Sequence, residues 1–118
     1  RGPSRIDFPN LQNRPKPDLT AIDGVMVSGA GGFSSPFFGT SAAAPHVAGI
    51  AAQLMSSSKR ANAQRVKKAL TAGAVDLGLV GFDSTYGFGL VDAILANIKL
   101  NQSSPIGPIM LLLGDDED

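Results

Sequence analysis

The most apolar part of the chain lies near its middle, between Ser41 and Met55. Small and apolar residues occupy positions all around the helical wheel there, and no charged residue interrupts them. Pro45 falls near the start of this stretch, where its missing amide hydrogen and fixed φ are tolerated. The pattern predicts a helix over residues 41–55 that has no polar face and is therefore buried on all sides.

A second helix, amphipathic in pattern, is predicted over residues 63–72. Asn62 is suited to cap its start with a side-chain oxygen, and Gly73 is suited to end it. One face is apolar and the other is basic, which predicts a helix that is half exposed to solvent. The apolar face carries Val66, Ala69 and Leu70, and the basic face carries Arg65, Lys67 and Lys68.

A glycine-rich stretch precedes the last periodic segment of the chain. Residues 81–89 contain Tyr86 and Phe88 among three glycines, which predicts a turn. Apolar residues at helical spacing then predict a third helix over residues 90–98. These residues are Val91, Ile94, Leu95 and Ile98, and beyond them the periodicity ends.

The first 38 residues show no helical periodicity. Four prolines fall within residues 1–17, and because each removes a backbone donor and constrains its predecessor, this part is predicted to be loop. Between residues 19 and 30, apolar and β-branched residues flank Asp23 and Gly24, which predicts two short strands around a turn. Residues 29–38 are rich in Gly and Ser and are predicted to be a second loop.

Composition narrows the classes of protein that fit. A chain of 118 residues with 43% hydrophobic and 17% charged residues is typical of one globular core. Cysteine is absent, so disulfides and thiolate metal sites are excluded. The longest apolar run, residues 109–113, is far shorter than the roughly 20 residues that span a bilayer, so no membrane partner is expected.

Charge gives little reason to expect a nucleic-acid partner. The formal net charge is zero, and the basic residues are scattered rather than aligned with aromatic residues. Four adjacent acids, residues 115–118, form the end of the sequence and are most simply a solvated tail. They include no turn-forming glycine, so they do not make a preorganised calcium cage, and no metal site is predicted in this chain.

Ser41 is the candidate for covalent chemistry. A serine in the first turn of an uncharged helix lies beside unpaired backbone amides and the positive end of the helix dipole, which together stabilise developing negative charge. The alternative role is that of a helix N-cap, the commonest one for serine at such a position. Judged on the residue alone, the N-cap role is favoured over the chemical one.

The surrounding motif favours the chemical role. The sequence GTSAAAPHVAG at residues 39–49 closely resembles the nucleophile motif of subtilisin-like serine proteases. Two further stretches resemble that family in the expected order: KPDLTA at residues 16–21 with GV at 24–25, and YGFGLVDA at residues 86–93. Ile22 stands where relatives usually have proline. With RGP at residues 1–3, the resemblance extends from residue 1 to about residue 96.

The resemblance implies a fold and an activity. The fold is expected to be α/β, part of a three-layer sandwich with a mostly parallel sheet. Residues 1–98 would be the C-terminal portion of the peptidase domain, and residues 99–118 an extension with an acidic tail. The expected function is that of a secreted or extracytoplasmic serine endopeptidase acting on polypeptides. No cofactor is expected in this fragment, and calcium sites of the family would lie elsewhere in the parent protein.

The resemblance also assigns roles to particular residues. Ser41 would be the nucleophile, and its backbone amide, supported by Thr40, would bind the oxyanion. Phe38 and Gly39 would border the substrate cleft. The family's catalytic Asp and His come from earlier segments, so the upstream part of the same domain is an expected partner, and this fragment alone is expected to be inactive. The alternative is a non-catalytic peptide-binding or structural fragment of a degenerate protease.

His46 is the one histidine of the sequence and does not fit the role of general base. Five helical residues separate it from Ser41, a rotation of about 500° and a rise of about 7.5 Å, so the two side chains point to different faces. A packed, hydrogen-bonded role is predicted for His46. Among the acids, Asp18, Asp23 and Asp92 fall in motifs that the family uses for turns and helix packing.

Overall fold

A computed structural model describes residues 3–102, and three helices account for most of its regular structure. The predicted amphipathic helix is α2, Ala63–Ala72. The Asn62 side chain accepts a hydrogen bond from the Arg65 amide, and the Gly73 amide donates to the carbonyl of Ala69. Val66, Ala69 and Leu70 are buried, so both the bounds and the apolar face of α2 are confirmed.

The last helix, α3, spans Ala93–Asn101 and lies three residues later than predicted. Asp92 caps its start, because its side chain accepts a hydrogen bond from the Leu95 amide at 2.8 Å. Leu90, which was expected to begin the helix, instead exchanges two 2.8 Å backbone hydrogen bonds with Val75. Its backbone is therefore extended rather than helical.

The apolar residues of α3 whose spacing predicted a helix are largely not its buried residues. Ile94 is 74% exposed, and Leu95 and Ile98 are more than one-third exposed, whereas Ala96 and Leu100 are buried. The buried side of α3 is the side that meets α2, where the Gly73 backbone approaches closely. A Cβ atom at Gly73 would lie 2.6 Å from the Ala96 amide nitrogen, so only glycine fits this helix contact.

The long apolar helix is α1, Thr40–Ser57, and its predicted helical state is confirmed. Pro45 lies inside it without ending it. Burial on all sides is not observed within the described residues, since Ala42 and Leu54 are the buried residues of α1 and most of the others are exposed. The reason is that α2 and α3 cover one side of α1 and no other described element covers the rest.

The core lies where the three helices meet. Its buried members are Leu54 from α1, three residues of α2 and two of α3. Leu19 and Val91, from the flanking loops, pack against this cluster together with Val47, Ile50 and Ala51 of α1. The core therefore joins the inner side of α1 to the α2–α3 pair and leaves the start of α1 outside it.

The prediction that residues 1–17 are loop throughout is wrong at two short segments. Strands β1, Ser4–Ile6, and β2, Gln12–Arg14, pair antiparallel with Ser4 opposite Arg14. The prolines lie outside both strands, so every residue in them keeps its backbone donor. Except for the half-buried Ile6, the hairpin residues are exposed.

The two strands predicted between residues 19 and 30 are replaced by single bridges. Thr20 bridges Leu90 in parallel, and Val25 bridges Phe37 antiparallel. Each side of the Asp23–Gly24 turn pairs with a different segment, so the two sides do not pair with each other. Within the predicted loop 29–38, residues Ala30–Gly32 form one 3-10 turn.

Several predictions concern parts that the structure does not describe. Three such parts lie outside the described residues: the first two residues, the apolar run at 109–113 and the acidic end at 115–118. In the part that is described, the one sheet is the antiparallel hairpin, so the mostly parallel sheet stays a prediction. Among residues 3–102, no helix combines the length and apolarity needed to cross a membrane.

Candidate active site

Ser41 is the second residue of α1 and is exposed. Within the described residues, its hydroxyl makes no hydrogen bond. It does not cap α1, because the N-cap position is occupied by Gly39, which has no side chain. The Ser41 hydroxyl is thus open to solvent rather than used by the fold.

The backbone amides at the start of α1 are available to a ligand. The Gly39 carbonyl accepts hydrogen bonds from the amides of Ala42, at 2.9 Å, and Ala43, at 3.1 Å. The Thr40 and Ser41 amides donate to no group among residues 3–102. No acidic residue lies in the first turn of α1. An oxygen that gains negative charge beside Ser41 would therefore meet free N–H groups and the positive end of the helix dipole.

Gly39 gives the chain its sharp entry into α1. Its backbone has φ 100° and ψ 179°, a conformation that side chains disfavour. A Cβ atom there would meet nothing within 4 Å, so backbone conformation rather than crowding requires glycine. The Gly39 amide donates a 2.9 Å hydrogen bond to the Asp23 Oδ2 atom, a contact that the sequence did not reveal.

Phe38 is 64% exposed, and its ring lies against Gly24. A Cβ atom on Gly24 would lie 2.9 Å from the ring. The neighbouring Phe37 meets Phe33 edge-on, with the ring centroids 5.1 Å apart. Phe38 and Gly39, the two residues predicted to border a cleft, therefore lie immediately beside Ser41 with one aromatic ring largely open to solvent.

An open cavity of about 400 Å³ lies beside the start of α1. Thr40 and Ala43 line it from the helix, and Asp23, Thr20 and Thr85 line it from the loops. Ser41 is not among its lining residues, so the cavity adjoins the nucleophile candidate through Thr40 and Gly39. Hydroxyl groups and one carboxylate therefore lie among apolar groups in this wall of the site.

His46 is engaged elsewhere, as predicted. Its Nδ1 atom lies 2.8 Å from the carbonyl oxygen of Ala42, one helical turn earlier, so the Nδ1–H group donates to that oxygen. The ring is half-buried. The hydrogen bond to Ala42 confirms the hydrogen-bonded role predicted for this histidine. No hydrogen bond joins His46 to Ser41.

The three acids Asp18, Asp23 and Asp92 are engaged in contacts of the fold. Asp18 pairs with Lys16 and lies 3.8 Å from the Lys67 ammonium group, Asp92 caps α3, and Asp23 accepts from Gly39. Structural roles are thus confirmed for Asp23 and Asp92, whereas Asp18 forms ion pairs with two lysines. Within the described residues, no group of three His, Cys, Asp or Glu side chains is arranged to hold a metal ion.

Asp83 has a structural role that was not predicted from the sequence. Its carboxylate accepts hydrogen bonds from the amides of Tyr86 and Thr85, both at 2.7 Å, and from the Leu79 amide at 3.3 Å. These amides, that of Tyr86 most strongly, hold the pKa of Asp83 below its ordinary value. An aspartate followed by Ser and Thr before a glycine is a recognisable turn signal.

Comparisons with known proteins bear on this arrangement. The model of the family described as the subtilase family matches residues 8–89, which include Ser41 and the whole of α1 and α2. An extracellular serine protease of Serratia marcescens is 43% identical over 54 residues. That match covers 46% of this chain and 5% of the relative, so the chain spans only a small part of the relative's length.

Proposed function

The chain belongs to the subtilase family, and on that premise we propose that it is part of a serine endopeptidase in which Ser41 is the nucleophile. The family match includes the motif around Ser41 and implies an α/β fold and a polypeptide substrate. The Serratia relative supports protease function and secretion. The proposal concerns the complete protein, of which residues 1–98 would be the C-terminal portion of the peptidase domain.

The observation that supports this role most strongly is the open hydroxyl of Ser41 beside unengaged backbone amides. Attack of the hydroxyl oxygen on a peptide carbonyl produces a tetrahedral intermediate whose oxygen carries negative charge. The Ser41 amide would donate to that oxygen, with Thr40 adding support from the preceding position. Collapse of the intermediate expels the amine and leaves an acyl group on Ser41, which water then removes.

Ser41 needs a general base, and none of residues 3–102 is placed to act as one. The one histidine in the sequence donates to Ala42 and is half-buried on another side of α1. We therefore place the base, and the acid that orients it, outside this chain, together with most of a parallel sheet. On this proposal the isolated fragment is inactive, calcium would be bound elsewhere if at all, and residues 99–118 are an extension.

The substrate would approach along the loop that precedes α1. Phe38 offers an exposed ring, and Gly39 has no side chain to hinder an extended backbone. The cavity on the Thr40 side, lined by both polar and apolar residues, is open enough to take a substrate side chain. Phe38 and Gly39 are accordingly proposed as cleft residues.

The test is to treat the complete protein with a rhodamine-tagged fluorophosphonate, which labels activated serines. We expect labelling that disappears in Ser41→Ala. Ser56→Ala is the matched control, because Ser56 is also an exposed serine of α1, and it should label like the wild type. Absence of labelling in a folded complete protein would instead favour a degenerate, non-catalytic member that binds peptide or serves a structural role.

A further inference from the structure

The start of α1 is held by a residue from a distant loop. Gly39 provides no side-chain cap, and the first turn contains no acid. Asp23, 16 residues earlier, supplies the missing acceptor by binding the Gly39 amide at 2.9 Å. The backbone that leads into Ser41 is therefore fixed by a group that is far away in sequence.

Two neighbouring contacts extend the Asp23–Gly39 contact along both segments. Val25 and Phe37 exchange backbone hydrogen bonds of 3.1 and 2.8 Å. Gly24 accommodates the Phe38 ring, and at φ 65° it has the same need for glycine as Gly39. Residues 23–25 thus contact residues 37–39 in antiparallel order, with Asp23 binding the residue nearest to Ser41.

The loop that carries Asp23 is itself anchored to the segment that leads into α3. The Thr20 amide donates to the Gly89 carbonyl, and the Val91 amide donates to the Thr20 carbonyl, each at 2.9 Å. The Thr20 hydroxyl also donates to the Tyr86 carbonyl at 3.1 Å. These bonds connect the 20–25 loop to the segment that leads into α3, which packs in the core.

We propose that Asp23 is a positioning residue for Ser41, acting through the Gly39 amide; this inference rests on the proposed function. Glycine is conformationally permissive, so without an acceptor Gly39 would leave the entry into α1 loosely defined. A nucleophile displaced by about 1 Å loses about 100-fold in rate even when the displacement starts away from the chemistry. Asp23 does not touch the reacting atoms, and its role is to limit that displacement.

The contact predicts a specific pattern among substitutions. One oxygen of Asp23 suffices to bind the Gly39 amide, so the amide oxygen of asparagine can replace it. Asp23→Asn should therefore keep the function and Asp23→Ala should lose it. Asp76→Ala is the matched control, because Asp76 is also an exposed aspartate that accepts from a glycine amide, that of Gly81 at 2.7 Å, away from α1.

The experiment compares these variants in the complete protein. The rate constant for fluorophosphonate labelling, and kcat and KM for fluorescein-labelled casein, are measured for each. Asp23→Ala should lower the labelling rate constant and kcat by about 10- to 100-fold while KM stays within about twofold. Asp23→Asn and Asp76→Ala should label within about threefold of the wild type.

The outcomes separate this inference from the proposed function. An unlabelled wild type sinks the function itself. A labelled wild type with an equally fast Asp23→Ala overturns the positioning role, as does an Asp23→Asn variant as slow as Asp23→Ala, or an equal loss in Asp76→Ala. If Asp23→Ala does not fold, Asp23→Glu replaces it: its longer side chain misplaces the acceptor, and a wild-type labelling rate would likewise overturn the role.

Discussion

The α2–α3 pair and the start of α1 are built in opposite ways. The helix pair buries Val66, Leu70 and Leu100 within the described residues and is bounded by its own caps, Asn62 and Asp92. The start of α1 exposes Ser41 and depends on a carboxylate from another loop. The caps and apolar side chains of the helix pair find their partners within the described residues. At the start of α1, the Ser41 hydroxyl and the first two amides stay open for other groups.

Apolar side chains are exposed in both regions, since Ile94 of α3 and Val80 of the loop after α2 are also open to solvent. The part of the chain that precedes α1 exposes Phe8 at 86% and Met26 at 81%, and Phe38 stands open beside Ser41. Within the described residues, α1 itself is covered on one side, where Leu54 joins the core. Apolar surface of this extent is typical of a contact region, and it matches the proposal that the remainder of a peptidase domain lies against it.

The largest expected effect is on the isolated chain. Produced as residues 1–118 alone, it should give no cooperative monomeric melt, because an apolar helix with one covered side leaves too much surface in water. Circular dichroism and sedimentation should show a broad transition or oligomers, and the complete protein should melt cooperatively. A sharp melt of a monomeric fragment would contradict the difference between the two regions, since the start of α1 would then be stable without partners.

A smaller effect is expected from truncating one core side chain. Leu70 of α2 is 6% exposed, so Leu70→Ala should lower the free energy of unfolding by about 2–5 kcal/mol. Leu79 is 77% exposed in this chain, and Leu79→Ala is the matched control, expected to change it by less than about 0.5 kcal/mol. Urea unfolding of the complete protein measures both. Equal losses would show that the loop at 79 is as covered as the helix pair.

What could be predicted from the sequence follows this division as well. The bounds of α2 were predictable because Asn62 and Gly73 act on amides and carbonyls within four residues. The start of α3 was not, since Leu90 is drawn into bridges with Val75 and Thr20, and neither pairing leaves a local signal. The β1–β2 hairpin was missed because prolines that flank strands look like prolines that interrupt them.

The site was predictable only in part. Ser41, Thr40, Gly39 and Phe38 were identified because they are contiguous within one motif, and the structure finds Ser41 exposed at the start of a helix. The Asp23–Gly39 hydrogen bond could not be read from the sequence, because it spans 16 residues and depends on how two loops meet. Catalytic roles for these residues stay predictions until the complete protein is labelled.

The smallest expected effect concerns the turn that links the two regions. Asp83 orders residues 83–87, and that turn provides the Tyr86 carbonyl which holds Thr20. Hydrogen bonds from the Tyr86 and Thr85 amides lower the pKa of Asp83 in the folded protein relative to the unfolded chain. A carboxyl group with a depressed folded pKa contributes stability above its unfolded pKa and loses it as the pH falls through the folded value.

Acidification should therefore weaken this link below about pH 4, the region of an ordinary Asp pKa. Asp83→Asn carries no titrating group, so the urea midpoint of the complete wild-type protein should fall more steeply between about pH 4 and pH 2 than that of the variant. The effect should be small, because the carboxylate is near solvent, which weakens its interactions. Parallel pH curves would show that the amide hydrogen bonds of Asp83 contribute no pH-dependent stability. The turn would then resemble the loosely held start of α1 rather than the α2–α3 pair.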